Sequence, residues 1–394
     1  MRRLNYILIL LCGVFLSFGC DHKDILPEGE DHNVIIVPEG SPYIYLDAMV
    51  DNVTRGTLIE GNELKEGFGA YGYYYDFTNR WTTYRITATP NVFTKVDGDF
   101  IAPQEVTYTN GVYSYQPVKT WAGGKYTFFA YYPFGNSSVT PSGVGVQGTP
   151  YVTYAPENFL TSTANHADVM TAMFQDTSLS SSQYVDFDFQ HRLSAIEVVA
   201  LNFYEFNYKG EGDKVNTEKI AIEITDLVVS FTNLDYKAAK FYLDNSLPSD
   251  YWPIEQSDVD PSYDIVDDSR TISYSISSEF QRVVNDKDNP QVMLVIPQQD
   301  EDLKATINVD FKKRRPDDRG YLNEVPEGEG VGYVVDNDKG WTYSLSKTVE
   351  FGQALKAGSR YYIQLTFTSA AVSINILTSA EWEDLTEDVY HEFE

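Results

Sequence analysis

Histidine is the side chain most often recruited for acid–base chemistry and metal ligation, and this chain has five: His22, His32, His166, His191 and His391. They are scattered, with no i,i+4 pair and no spacing that a zinc site needs. His191, at a strand boundary, reads as a structural hydrogen-bonding group rather than a base. Asp336-Asn337-Asp338-Lys339-Gly340 begins like a calcium loop, but the position that needs a bidentate carboxylate is Lys347, so the run reads as a turn. Asn285-Asp286-Lys287-Asp288-Asn289 reads as a turn as well. Gly328-Glu329-Gly330-Val331-Gly332 has no helix pattern after it, and its carboxylates would repel phosphate. No Gly-x-Ser-x-Gly elbow occurs. The expectation is a chain with no catalytic residue, no metal ligand set and no cofactor.

The remaining chemistry is chemistry done to the chain. Arg2 and Arg3 precede an apolar run from Tyr6 to Phe18, and Gly19 stands directly before Cys20. A run this short, with basic residues ahead and a small residue behind, predicts an export signal rather than a membrane span. Leu16-Ser17-Phe18-Gly19-Cys20 resembles a bacterial lipobox, in which the cysteine thiol is acylated and becomes the new N-terminus. Cys12 would leave with the signal, so Cys20 would be the one remaining cysteine and no disulfide framework is expected. An acyl chain, not a transmembrane helix, would hold the protein to the membrane. Residues 1–19 then form the signal peptide and 20–55 a pro-segment. Within it Val34 to Val37 and Tyr43 to Val50 read as extended runs, the second apolar on both sides of the pleat as in a strand buried within a sandwich. Arg55 and Gly56 follow in a loop-like stretch, Asn52 to Thr57.

Composition narrows the class. The chain has 394 residues, 30 of them Tyr against 5 Met, a balance that favours pleated half-buried surfaces over helices. A formal net charge of −29 argues against nucleic acid or an anionic membrane face as a partner.

The body reads as short strands separated by turn signals, an all-β pattern. Phe68 to Tyr75, Tyr113 to Tyr115 and Lys125 to Tyr132 are strand runs, the last stopped by Pro133. Asn110-Gly111 predicts a tight hairpin turn. Gly135 to Pro150 reads as a loop. From Tyr184 a second set begins: Val185 to Phe189 alternates, Leu193 to Val199 is more buried, and further runs lie at Ile220 to Phe231, Gln291 to Pro297, Ala305 to Phe311 and Tyr361 to Phe367. Acidic loops are expected at Ser249 to Arg270 and Arg314 to Gly340. After Val372 to Leu377 the chain closes on an alternating segment that places Val389, His391 and Phe393 on one face.

Several of these stretches together resemble the Bacteroidetes fimbrillin family, the lipoprotein-derived pilins of protease-processed type V pili. They are Val53-Thr54-Arg55-Gly56 ahead of Phe68-Gly69-Ala70-Tyr71, Trp121 leading to Tyr126 through Pro133, and Asp168-Val169-Met170. Phe187 through Ile196 and Met293-Leu294-Val295-Ile296-Pro297-Gln298 complete the set. The resemblance implies two transthyretin-like, Greek-key β-sandwich domains, taken here as 56–184 and 185–394, and a pilus-building role in adhesion and biofilm formation. It also implies removal of the N-terminal segment after an arginine, matched by Arg55, by an arginine-specific protease.

Loss of the Tyr43 to Val50 strand would open a groove with unpaired backbone groups, a template for another chain. A C-terminal donor strand, within about 377–394 and carrying Val389, His391 and Phe393, would fill that groove in a neighbour. Such a head-to-tail contact builds an open filament. Expected partners are other pilin subunits, the maturation protease, the outer membrane before processing, and a host protein or glycan. The expected location is first the outer membrane, then the cell-surface fimbrium. The alternative is a non-polymerising surface lipoprotein or tip adhesin that binds glycans or host proteins through Tyr71 to Tyr75 and Tyr113 to Tyr115, runs that cross-strand packing explains better. Within the pilus reading a shaft subunit is favoured, since an anchor would need no cut.

Overall fold

The computed structural model describes the chain from Tyr43 to Ser379, with breaks of which the longest are 51–63, 82–99, 143–149, 158–165, 284–291 and 323–330. These residues are almost all β. The first strands are β1 (Tyr45–Val50), β2 (Phe68–Tyr75), β3 (Phe100–Thr109), β4 (Val112–Ser114), β5 (Lys125–Tyr132) and β6 (Val139–Ser142). Then come β7 (Tyr151–Tyr154), β8 (Met170–Thr177), β9 (Tyr184–His191), β10 (Ser194–Phe203), β11 (Glu205–Lys209) and β12 (Val215–Lys219). The third group is β13 (Ala221–Thr232), β14 (Tyr236–Tyr242), β15 (Tyr251–Glu255), β16 (Ser262–Val266), β17 (Arg270–Ile272) and β18 (Gln281–Arg282). The last are β19 (Met293–Val295), β20 (Lys304–Arg314), β21 (Val331–Asp336), β22 (Gly340–Glu350), β23 (Arg360–Thr368) and β24 (Val372–Ser379).

A seven-stranded sheet runs in the order β1-β9-β8-β5-β2-β3-β4. Its concave core holds Leu46, Phe68, Val106, Phe128, Met170 and Phe187, all side chains of that one sheet. Ile44, Leu64, Tyr115 and Trp121, from outside the strands, complete this core. The opposite faces of β2 and β5 are covered by the four-stranded sheet β15-β14-β7-β6, with Tyr71, Phe129, Val152 and Phe241 in a shared cluster. A third core lies between the five-stranded sheet of β18, β10, β23, β24 and β19 and the six-stranded sheet of β16, β13, β20, β22, β21 and β17. Ile196, Val198 and Ile363 from the first meet Ile224, Val229 and Ile307 from the second.

Local sequence explains much of this. In β9 the alternation puts Val185, Phe187, Phe189 and His191 inside and turns Tyr184, Asp188 and Gln190 outward. β10 is buried on both faces over nearly its whole length, because β19 and β23 flank it and cores lie on both sides. β3 and β4 pair Thr109 with Val112, so two residues connect them, and Asn110 takes the positive φ of 53° that such turns require. Gly69 faces Tyr131 across the β2–β5 ladder, where an added Cβ would come within 2.2 Å of the ring. The bare backbone lets the tyrosine lie over it.

Four expectations need correction. The stretch expected as a loop from Gly135 to Pro150 carries β6, which exists because it pairs with β7 from Val139↔Tyr154 to Ser142↔Tyr151. The acidic stretches Ser249 to Arg270 and Arg314 to Gly340 likewise contain β15, β16 and β21. β1 is not buried on both faces; it is the edge strand of its sheet, with Tyr43 46% and Met49 49% exposed on its outer side. The aromatic runs offered as ligand platforms are interior, since Tyr71, Tyr73, Tyr75, Tyr113 and Tyr115 are all buried. β9 hydrogen-bonds with β8 and β1.

Candidate strand-exchange groove

The residues singled out for processing and donation fall outside the described part of the chain: Cys20, Arg55, Gly56, Val389, His391 and Phe393. What the structure does describe is the strand just ahead of Arg55 and the groove it occupies. β1 ends at Val50 and the chain is described again at Leu64, so Arg55 lies between two fixed points.

β1 pairs in parallel with β9, from Tyr45↔Tyr184 through Leu46↔Val185, Asp47↔Asp186 and Ala48↔Phe187 to Val50↔Phe189. Its inward positions Leu46 and Ala48, and Ile44 just ahead of it, are each no more than 2% exposed. They enter the aromatic floor formed by Phe68, Tyr113, Phe187 and Phe189, whose rings meet with centroids 5.3 to 5.6 Å apart around Phe68. Burying Ile44 and Leu46 contributes about 1.5–3 kcal/mol each. Each ladder hydrogen bond contributes about 0.5–1.5 kcal/mol net.

The other edge of β1 is held differently. The Ile44 N–H donates to the Lys119 carbonyl at 2.9 Å. The Tyr115 hydroxyl donates to the Ile44 carbonyl at 2.8 Å and accepts from the Lys119 N–H at 3.3 Å. Tyr43 and Thr120 form an antiparallel bridge. The Tyr113 hydroxyl donates to the Leu64 carbonyl at 2.5 Å and lies 3.4 Å from the Ala48 carbonyl. One phenol thus links the end of β1 to the chain that resumes beyond Arg55. Burial pushes the Tyr115 phenol up to about 12, so it remains a proton donor throughout the physiological range.

On the outer face the ladder sets Asp47 directly opposite Asp186, with Asp188 two residues further along β9. Burial, and then the charges of Asp47 and Asp188, raise the Asp186 carboxyl above its ordinary range. The folded chain holds that proton more tightly than the unfolded one. This contribution therefore stabilises fully below the ordinary carboxylate value of about 3.9 and is lost as pH rises through the elevated one. Asp186→Asn removes it. In denaturant titrations from pH 3 upward, the stability of wild type minus that of the variant should fall through this window and then level off. A difference that is flat with pH would show that neither burial nor the neighbouring carboxylates raise Asp186.

Of the histidines, His191 is buried with Nδ1 2.9 Å from Asp168 Oδ1, and His166 accepts from the Leu294 N–H at 3.3 Å. His191 ties the end of β9 to Asp168 ahead of β8, and the half-buried His166 holds the backbone of β19. The phenol contacts to β1 and to Ile44 ahead of it are what sequence reasoning missed; the signal was the Tyr113-Ser114-Tyr115 spacing, which starts in β4 and runs one residue past it.

Comparison with known proteins places this geometry in context. A model of the fimbrillin-like family matches residues 77–382. Among solved structures, a fimbrial protein from Bacteroides vulgatus aligns with a TM-score of 0.55 at 19% identity, covering 86% of this chain and 98% of that one. That likeness is one of fold. A proposed cell adhesion protein from Bacteroides ovatus aligns at a TM-score of 0.40 and 14% identity, over 85% of this chain and 95% of its own. No curated protein matches the sequence.

Proposed function

Because the chain belongs to the fimbrillin-like family, we propose that it is a structural subunit of a cell-surface fimbrium that polymerises by strand exchange after loss of β1. The family supports a pilin or adhesin role. The observation that carries the exchange reading is β1 itself. It is the edge strand, it comes first in the described chain, its inner face fills an apolar groove, and a single arginine stands at 55 in the 51–63 connection.

In this reading the precursor is tethered by an acylated Cys20 and caps its own groove. While β1 is covalently attached, its effective concentration at the groove is on the order of millimolar. Cutting between Arg55 and Gly56 by an arginine-specific protease abolishes that advantage, and β1 becomes a dissociable peptide. The vacated groove then presents the unpaired edge of β9 and an open aromatic floor. A neighbour's C-terminal segment, with Val389, His391 and Phe393 directed inward, fills it head-to-tail and extends an open filament.

Deleting Thr386 to Glu394 tests the donor. The shortened chain should fold, be anchored and be processed as before, while the ladder of surface polymers disappears from unboiled gels. Misfolding or degradation of the monomer would instead make that segment part of its own sheet and remove it as a donor.

A further inference from the structure

The edge of β1 away from β9 is read by two atoms of one short segment, and those atoms are of opposite kind. Lys119 offers a carbonyl oxygen and Tyr115 a hydroxyl proton, and both address a single residue, Ile44. The two readers are themselves tied together by the Lys119 N–H to Tyr115 bond. Four residues on, the Ala48 carbonyl comes within 3.4 Å of the Tyr113 hydroxyl. Carbonyls four apart on a strand point to the same edge, so the Tyr115 and Tyr113 contacts are made by one register and lost together by a one-residue slip.

We propose that Tyr115, acting with the Lys119 backbone, determines the direction and register of the strand that replaces β1. This assignment rests on the strand-exchange reading above and names what the groove selects. A strand of a second copy running parallel to β9 delivers an N–H to Lys119 O and a C=O to the Tyr115 hydroxyl, as Ile44 does. A reversed strand would set its carbonyl against the Lys119 carbonyl oxygen, leaving two acceptors face to face. Antiparallel pairing with β9 is slightly better per residue, but it does not relieve that clash. Tyr113 is a secondary contact, because its hydroxyl already serves Leu64 at 2.5 Å. Ala48 is the small inward residue where this ring approaches the strand.

The test uses the full chain after limited cutting by an arginine-specific protease, offered a fluorescent peptide of Tyr43 to Val50. A second peptide carries an ester in place of the Ile44–Tyr45 amide, which weakens the Ile44 carbonyl as an acceptor and also removes the Tyr45 N–H on the β9 side. Against wild-type protein the ester should bind at least about fivefold more weakly than the amide, because two neutral hydrogen bonds are affected, one to Tyr115 and one facing β9. Tyr115→Phe should weaken the amide peptide about threefold to tenfold and reduce the ester penalty to the part due to the missing Tyr45 N–H. The retro-sequence peptide should bind wild type at least about tenfold more weakly than the forward one. An ester penalty that is undiminished in Tyr115→Phe, or equal binding of forward and retro peptides, overturns the assignment. The forward–retro comparison in unaltered protein holds even if the variant folds poorly. Failure of the forward peptide to enter the wild-type groove at all would instead overturn the strand-exchange reading, and this assignment with it.

Discussion

Arg55→Ala is expected to abolish surface polymer while leaving a folded, membrane-tethered chain that retains β1. The reasoning is a competition between an attached strand and a free one. β1 is held by a six-residue parallel register and by two buried aliphatic side chains together contributing roughly 3–6 kcal/mol. A neighbour's strand at micromolar concentration cannot displace an equivalent strand tethered at an effective millimolar one. Without the cut, the groove stays occupied and exchange stalls. Arg55→Lys provides a useful control, since an arginine-specific protease should spare it and a protease of broader basic specificity should not. Immunoblots of unboiled outer-membrane fractions report the outcome. High-molecular-weight ladders from Arg55→Ala, equal to those of wild type, would mean that processing lies elsewhere.

The second large effect lies in a part of the chain with no role in exchange. Glu197 on β10 is 1% exposed and is clamped between Arg360 Nη2, 2.5 Å from Oε2, and Arg282 Nε, 3.2 Å from Oε1. Arg360 is itself fully buried and lies over the Tyr362 ring at 5.4 Å. The three charges tie β10 to β23 and β18. Glu197→Ala leaves the Arg360 guanidinium buried without its carboxylate, which should cost about 3–5 kcal/mol of unfolding free energy. Glu197→Leu combined with Arg360→Met removes both charges and should be near neutral, because replacing a buried pair with packed apolar groups avoids the stranded charge. Denaturant melts of the single and double variants distinguish these cases. If the double variant is as unstable as the single one, the loss comes from packing rather than from the charge.

Much of the all-β character was readable from local pattern. Phe68 to Tyr75 has the bounds of β2, and Pro133 stops β5 where a missing N–H must. The alternation from Val185 to Phe189 gave the correct faces of β9. The rest depended on partners distant in sequence. β6 holds Pro141 in a Gly- and Ser-rich stretch and becomes a strand only against β7. β11 and β12 form a ribbon with mostly exposed side chains, in which Phe206 is the one residue that packs on a core. β22 alternates apolar with Ser and Lys, and it is placed by ladders to β20 and β21 on either side.

The groove was half legible. A first strand ahead of an arginine could be seen in the sequence. That Tyr45 and Met49 would face outward at a sheet edge could not, because both are as apolar as the buried Ile44 and Leu46. Nor could Tyr113 and Tyr115 be recognised as hydrogen-bond donors to β1. Their rings satisfy the ordinary packing pattern of a strand, and only the fold brings their hydroxyls to the carbonyls of residues more than sixty positions earlier.

The account stands most directly on the N-terminus of the chain at two stages. Mass spectrometry of the membrane-tethered precursor and of shaft material sheared from the cell surface would identify both. The precursor should begin at an acylated Cys20, and the assembled subunit should begin at Gly56, with no peptide from Tyr43 to Val50 remaining in washed polymer. Assembled subunits that still begin at Cys20, or that retain β1 in stoichiometric amount, would contradict strand exchange at this groove.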